Sequence, residues 1–294
     1  MESKISNFLI IVGAMKCGTT SLYNYLAQHP EIAACQTKET GFFSFSSRFF
    51  KGFDFYQGLW DWQPGKHKYA LEATPGYTRV TNPKYLNAAE KIRLTKEETG
   101  ANFKFIYILR NPVDRIESHY TQGKKHRNLE VIKSEAATIE EEIIDTSRYA
   151  MQIKEYYQRF PADDILLLRL EDLQSNPQAL MIKVCDFLEI DREYSFELNL
   201  THNSYSSKTS RVVIPGYSWL RRTDFVKNYI KFMSGDLKRR IRLIRNLLSK
   251  NIDYEYIKLS TQQREYAITE LRADLIELRD KFNVDVASWG IDIE

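Results

Sequence analysis

Between Gly13 and Ser21 the chain reads Gly-Ala-Met-Lys-Cys-Gly-Thr-Thr-Ser, with two glycines around Lys16 and three hydroxyls directly behind them. A turn of this kind aims backbone amides at one point, and the start of a following helix adds its positive end. Lys16, Cys17, Gly18, Thr19, Thr20 and Ser21 therefore make a candidate cradle for an anion such as phosphate. A second group stands far downstream, where Arg110 and Ser118 lie eight positions apart. The planar fork of arginine suits a phosphate, and a serine two turns into the next helix can reach the same group. The alternative for Arg110 is that it caps a strand and pairs with Asp114.

Strands and helices must hold these residues. Phe8 to Val12 is an unbroken apolar run, the pattern of a strand covered on both faces of a parallel sheet. Leu22, Tyr25 and Leu26 then fall on one helical face, and Pro30 is expected to close that helix. Further strands are expected at Ile32–Cys35, Lys68–Ala73, Phe103–Leu109 and Ile165–Leu170. Helices are expected from Asn82-Pro83 to about Leu94, from Asn111-Pro112, from Thr138 to Phe160 and from Asn176-Pro177. Tyr266 to Phe282 reads as an acidic amphipathic helix with Ser260 and Gln263 as its capping box, and Trp289 as an anchor beyond it. Strands alternating with helices give an α/β class: a parallel doubly wound sheet, helices on both faces and extra C-terminal helices. One domain is expected over 1–294, with 212–258 as a basic helical insertion or cap.

Composition narrows the functional classes. A chain of 294 residues with 43% hydrophobic content can bury a full core, and its 28% charged residues and ample aromatics argue against disorder. A net charge of +3 does not by itself imply a nucleic-acid partner. No apolar run reaches membrane-spanning length, and the early first strand leaves no room ahead of it for a signal peptide. Three scattered cysteines read as reduced thiols, so a cytoplasmic compartment is expected. The stretch from Arg211 to Lys250 holds eleven Lys and Arg against Asp224 and Asp236. Its basic face is either solvated, or it meets an acidic polysaccharide or an anionic membrane surface.

The Gly13–Gly18 loop departs from the nucleotide triphosphatase pattern, because Thr19 stands where that pattern has lysine. It resembles the 5′-phosphosulfate loop of sulfotransferases that use 3′-phosphoadenylyl sulfate (PAPS). Leu109-Arg110-Asn111-Pro112-Val113-Asp114-Arg115 with Ser118 resembles the 3′-phosphate signature of the same family. His29-Pro30, Lys38-Glu39 with Phe42-Phe43, Leu170-Glu171-Asp172-Leu173 and Trp289 extend the likeness, chiefly toward heparan-sulfate-type and bacterial members.

That resemblance implies transfer of a sulfuryl group from PAPS, releasing adenosine 3′,5′-bisphosphate (PAP), without a metal. It implies Arg110 and Ser118 at the 3′-phosphate, Lys16 stabilising the leaving 5′-phosphate, and Glu39 as the base that takes the acceptor's proton. Lys208 and Arg211 match a late loop of bacterial relatives that closes over the nucleotide, or form an ordinary solvated basic loop. Glu72 is the second candidate base or acceptor contact, with a structural pairing as its alternative. Phe42, Phe43 and the aromatic tract to Trp62 are candidates for the acceptor wall, against a core reading. His119 reads as structural. Gly41, Ser44 and Ala73 replace acid–base residues of the heparan 3-O type, which argues against that particular substrate. The acceptor class is then a hydroxyl, or an amine, of a carbohydrate, glycolipid or small molecule. The rival readings are a small-molecule kinase or other nucleoside-triphosphate enzyme, and a non-catalytic binder of acidic glycans.

Overall fold

β1 (Asn7–Gly13) is apolar from Phe8 to Val12 because both its faces are covered there, and those five residues are completely buried. In the computed structural model it sits at the centre of a five-stranded, all-parallel sheet. The structure describes residues 4–127, 138–198, 209–212, 250–253 and 256–293. In chain order, β1 is followed by α1 (Thr19–Leu26), β2 (Ile32–Ala34), α2 (Ser46–Phe49), α3 (Phe53–Gln57) and β3 (Tyr69–Ala73). Next come α4 (Ala88–Thr99), β4 (Asn102–Leu109), α5 (Pro112–Arg127), α6 (Glu141–Asp145) and α7 (Tyr149–Tyr157). β5 (Ile165–Arg169), α8 (Leu170–Ser175) and α9 (Pro177–Leu188) complete this part.

The strand order is β2-β3-β1-β4-β5, so the chain builds one side of β1 first and then crosses to the other. Right-handed crossovers laid in opposite directions put helices on opposite faces, which is the doubly wound α/β arrangement. Ligands of such sheets bind beyond the carboxyl ends of the strands, beside the point where the order reverses. Here that point is the end of β1, where the glycine loop begins.

Several local signals appear as expected. Asn111 Oδ1 accepts from the amides of Val113 and Asp114 at 3.0 and 3.4 Å and so caps α5. Asn176 caps α9 through the Ala179 amide at 3.1 Å. α10 (Thr261–Phe282) opens on the reciprocal Ser260–Gln263 capping box and buries Ala267, Leu271, Leu275 and Leu278. Trp289 is buried behind it, and its carbonyl accepts from Asn111 Nδ2 at 3.0 Å.

Other expectations need correction. α1 ends at Leu26 rather than at Pro30, because His29 is buried and its Nε2 reaches the Asp191 carbonyl, which requires a turn before it. Asn82-Pro83 does not open a helix; Asn82 Oδ1 accepts the Lys84 amide in a local turn, and α4 starts six residues later on the Asn87 cap. The helix expected over 138–160 is two helices. Arg115, fully buried, donates to Ser147 Oγ at 2.6 Å, in the break between α6 and α7, and to the carbonyl of Ile143 in the last turn of α6 at 2.8 Å. The basic segment lies mostly outside the described residues. Its described flanks, β6 (Thr209–Val212) and β7 (Lys250–Asp253), pair antiparallel, so these ends are strand rather than helix.

Candidate active site

The loop after β1 is shaped by glycine geometry at two places. A Cβ on Gly13 would stand 2.5 Å from the Tyr107 ring, so only glycine lets β1 pass β4 this closely. Gly18 caps α1 at φ +89°, and a Cβ there would meet Leu170 Cδ1 at 2.6 Å. Thr19, Thr20 and Ser21 form the first turn of α1, where amides have no acceptor within the helix. All three line an open cleft of about 1140 Å³. Cys17 does not: its side chain is wholly buried, its amide is bonded to the Ala14 carbonyl at 3.2 Å, and burial pushes its thiol up to about 11. It serves the packing beneath the loop, and its expected contact with an anion is corrected accordingly.

Arg110 stands just beyond the carboxyl end of β4, beside β1, and its Nη1 lies 3.4 Å from the Lys16 carbonyl oxygen. The two phosphate motifs therefore touch. The Arg110 carbonyl is held by the Tyr149 hydroxyl at 2.8 Å, and the next amide, of Asn111, by Glu171 Oε1 at 2.8 Å. This gives Glu171 of the Leu170–Leu173 motif a mechanical purpose. Ser118 faces the same cleft from α5, 1% exposed, and its Oγ has no hydrogen-bond partner among the described residues. A buried hydroxyl aimed into a cleft without a partner is costly unless something binds there. The lysine, the amides, the arginine and this hydroxyl together fit a nucleotide carrying phosphates at both ends.

Glu39 lines the cleft in the turn after β2. Its amide donates to the Ala73 carbonyl at 3.2 Å, and its carboxylate pairs with Lys38 Nζ at 3.0 Å. Four non-glycine residues among those described have φ in the left-handed region. Glu189 and Asn283 are ordinary helix C-caps. The other two are Lys16 at +74° and Glu39 at +62°. Backbone strain of this sort collects at functional sites, where the surrounding fold holds it.

Glu72, Phe42 and Phe43 are not on the cleft. Glu72 is fully buried and surrounded by four hydroxyls: Thr40 and Tyr56 in short contacts, Thr74 at 2.7 Å and Tyr77 at 2.9 Å. Burial raises its pKa against the opposing pull of those donors. Phe42 and Phe43 pack with Tyr56 in the core. Of the aromatic tract, Phe45 reaches the cleft, and Tyr85, from outside the tract, stands 5.3 Å from its ring. Arg48 lies over Phe45 and Arg79 over Tyr85, so this part of the cleft is an aromatic pair flanked by two cations. Their spacing in the sequence carried no sign of this grouping. His119 Nδ1 lies 3.3 Å from Arg115 Nη1 and the residue is not part of the cleft wall. Lys208 falls outside the described residues, and Arg211 is placed only as part of β6. Among the described residues no cluster of His, Cys, Asp and Glu could hold a metal ion, and no helix is long and apolar enough to cross a membrane.

Residues 7–239 match the model of the sulfotransferase domain family. The chain belongs to the sulfotransferase family. It is 31% identical over 193 residues to a heparan sulfate glucosamine 3-O-sulfotransferase 3B1 of Mus musculus, covering 62% of this chain and 46% of that protein. It is 24% identical over 216 residues to the bifunctional heparan sulfate N-deacetylase/N-sulfotransferase 3 of Homo sapiens, covering 69% of this chain and 24% of the relative. The chain thus spans less than half the length of these relatives. Its fold matches the crystal structure of a sulfotransferase from Alicyclobacillus acidocaldarius at a TM-score of 0.61 and 21% identity, over 98% of this chain and 99% of the other.

Proposed function

We propose that this sulfotransferase moves the sulfuryl group of PAPS in line onto a hydroxyl of a carbohydrate acceptor, free or lipid-linked, with Glu39 as the base. The observation that carries this reading is that Lys16, the α1 amides, Arg110, Ser118 (without a partner among the described residues) and Glu39 all face one cleft. PAPS supplies the activated sulfuryl group. Arg110 and Ser118 bind its 3′-phosphate, and Lys16 with Thr19, Thr20 and Ser21 binds the 5′ end. Lys16 matters most where negative charge grows on the departing phosphate oxygen. Glu39 takes the proton that the acceptor hydroxyl must lose.

The acceptor wall supports a sugar. Phe45 and Tyr85 offer aromatic faces, and Arg48 and Arg79 beside them suit an acidic ring. The relatives named above act on heparan sulfate, which favours a carbohydrate over a phenol. Gly41, Ser44 and Ala73 still argue for a different sugar or position from the 3-O type. An amine acceptor and a small-molecule acceptor are the other outcomes of the test below. A contact of the basic 211–250 stretch with an anionic membrane would suit a glycolipid, and a cytoplasmic site for the enzyme rests on three free, buried thiols. The test is a screen with labelled PAPS over acidic glycans, glycolipids and phenols, with Glu39→Gln as control. Label transferred to a glycan by wild type but not by the variant supports the reading; turnover retained in Glu39→Gln removes Glu39 from it.

A further inference from the structure

Among the described residues the exposed large apolar side chains are Phe45, Phe50, Phe55 and Leu94. The three phenylalanines share one short stretch, the turn that α2 and α3 build between β2 and β3. Apolar residues exposed singly are ordinary, whereas a cluster of them marks a surface that meets something. This turn projects from the fold. Gly52, between the two short helices, has φ +83° and open space where a side chain would stand, and Phe50 is 84% exposed.

Cations stand among the rings. Lys51 Nζ lies 4.5 Å from the centre of the Phe55 ring, Arg48 lies over Phe45 at 5.3 Å, and Lys91 of α4 reaches the Phe49 ring at 5.2 Å. Leu94 follows Lys91 by three residues and so falls on the same stripe of α4. The carboxylates beside the turn have cations of their own: Asp54 has Lys4, Glu39 has Lys38 and Glu97 has Arg93. Arg48, Lys51 and Lys91 are the surplus, and the surface is both aromatic and positive.

Shape decides which occupant this charge suits. A sugar or a folded partner is held by a recess or a flat face, and Phe50 instead stands out between Arg48 and Lys51. A projecting ring flanked by cations matches a soft anionic interface. The ring enters the boundary between headgroups and acyl chains, and the long cationic side chains stay with the lipid phosphates. The patch is also continuous with the cleft, since Phe45 and Arg48 line its wall and Arg48 Nη1 donates to the Glu39 carbonyl at 3.3 Å.

We propose that the turn over residues 45–55 docks the protein on an anionic lipid bilayer. Phe50 inserts, Lys51 meets the headgroup phosphates, and the mouth of the cleft opens at the headgroup layer. This surface is distinct in sequence from the basic 211–250 stretch. Delivery of a lipid-linked acceptor to Glu39 from that layer rests on the acceptor reading above; the docking itself does not.

The test is flotation of the full chain with vesicles of equimolar phosphatidylcholine and phosphatidylglycerol, and with phosphatidylcholine alone, without PAPS or acceptor. Wild type should bind the mixed vesicles about tenfold more tightly than the neutral ones, and the difference should shrink as salt is raised. Phe50→Ser should weaken binding to the mixed vesicles by roughly tenfold, and Lys51→Ala by about fivefold. Both side chains are exposed, so the thermal melts should not change. A wild type that does not float, or variants that float within twofold of it, overturns the docking. So does a wild type with twice the solution mass of Phe50→Ser, because a second copy of the chain then covers the turn. With PAPS added, Phe50→Ser should lose transfer to a vesicle-borne glycolipid and keep transfer to a soluble glycan. If wild type sulfates neither, the acceptor reading fails while the flotation result still supports the docking.

Discussion

Glu39 and Glu72 sit one strand apart at the same end of the sheet, and both are carboxylates inside sequence motifs. Their surroundings divide the work between them. Glu39 is 60% exposed on its side chain, strained at φ +62° and held loosely by one lysine. Glu72 is sealed from solvent by four hydroxyl donors. One of those donors, Thr40, follows Glu39 directly, and another, Thr74, also accepts the Gly41 amide at 3.3 Å. The buried acid thus organises the turn that carries the exposed acid, the proposed base. A proton acceptor needs access to its donor; a structural carboxylate needs its lone pairs filled.

Substitution should separate the two cleanly. Glu39→Gln is expected to lower kcat by roughly 10²–10⁴, the range for a lost general base, with little change in Tm. Steady-state kinetics and a thermal melt check both halves, and a large fall in Tm would mean the contrast is misdrawn. Lys16→Met should cost about 2.7–4 kcal/mol of barrier, again with the fold intact, because it acts on the same transfer from the opposite side.

Glu72→Ala should do the reverse. It leaves buried hydroxyls without their acceptor, and a loss of stability of about 1.5–3 kcal/mol is expected from urea unfolding. A variant as stable as wild type but inactive would move Glu72 into the chemistry. The smallest effect is in pH. Burial raises the folded-state pKa of Glu72, so the folded protein holds that proton more tightly than the unfolded chain does. Its contribution to stability is therefore full below the unfolded value of about 4.3 and is lost as pH rises through the folded value. The stability gap between wild type and Glu72→Gln should shift in favour of the variant between about pH 4 and about pH 8. A shift the other way would mean that the hydroxyl donors outweigh desolvation.

What the sequence made legible follows the range of the interactions. The apolar runs of β1 and β4, the Asn111 and Asn176 caps and the capping box of α10 are decided within a few residues, and all are present. The break between α6 and α7 was hidden because its cause, the buried Arg115, lies a whole helix away. Glu72 could not be assigned to the interior until Tyr56, Thr40 and Tyr77 were brought around it. Phe42 and Phe43 misled in the opposite direction, since an aromatic pair at a motif edge is consistent with either a wall or a core. The glycine loop after β1 was legible because its glycines, lysine and hydroxyls stand at fixed spacing, and of Lys16 to Ser21 only Cys17 lies off the cleft wall.

The central claim is that Lys16 and Arg110 hold opposite ends of one nucleotide. A crystal structure of the chain soaked with PAP tests it most directly. The expected result is the 5′-phosphate against Lys16 and the first turn of α1, with the 3′-phosphate against Arg110 and Ser118 Oγ. PAP bound in another cavity, or spanning the cleft with either phosphate away from these side chains, would contradict it.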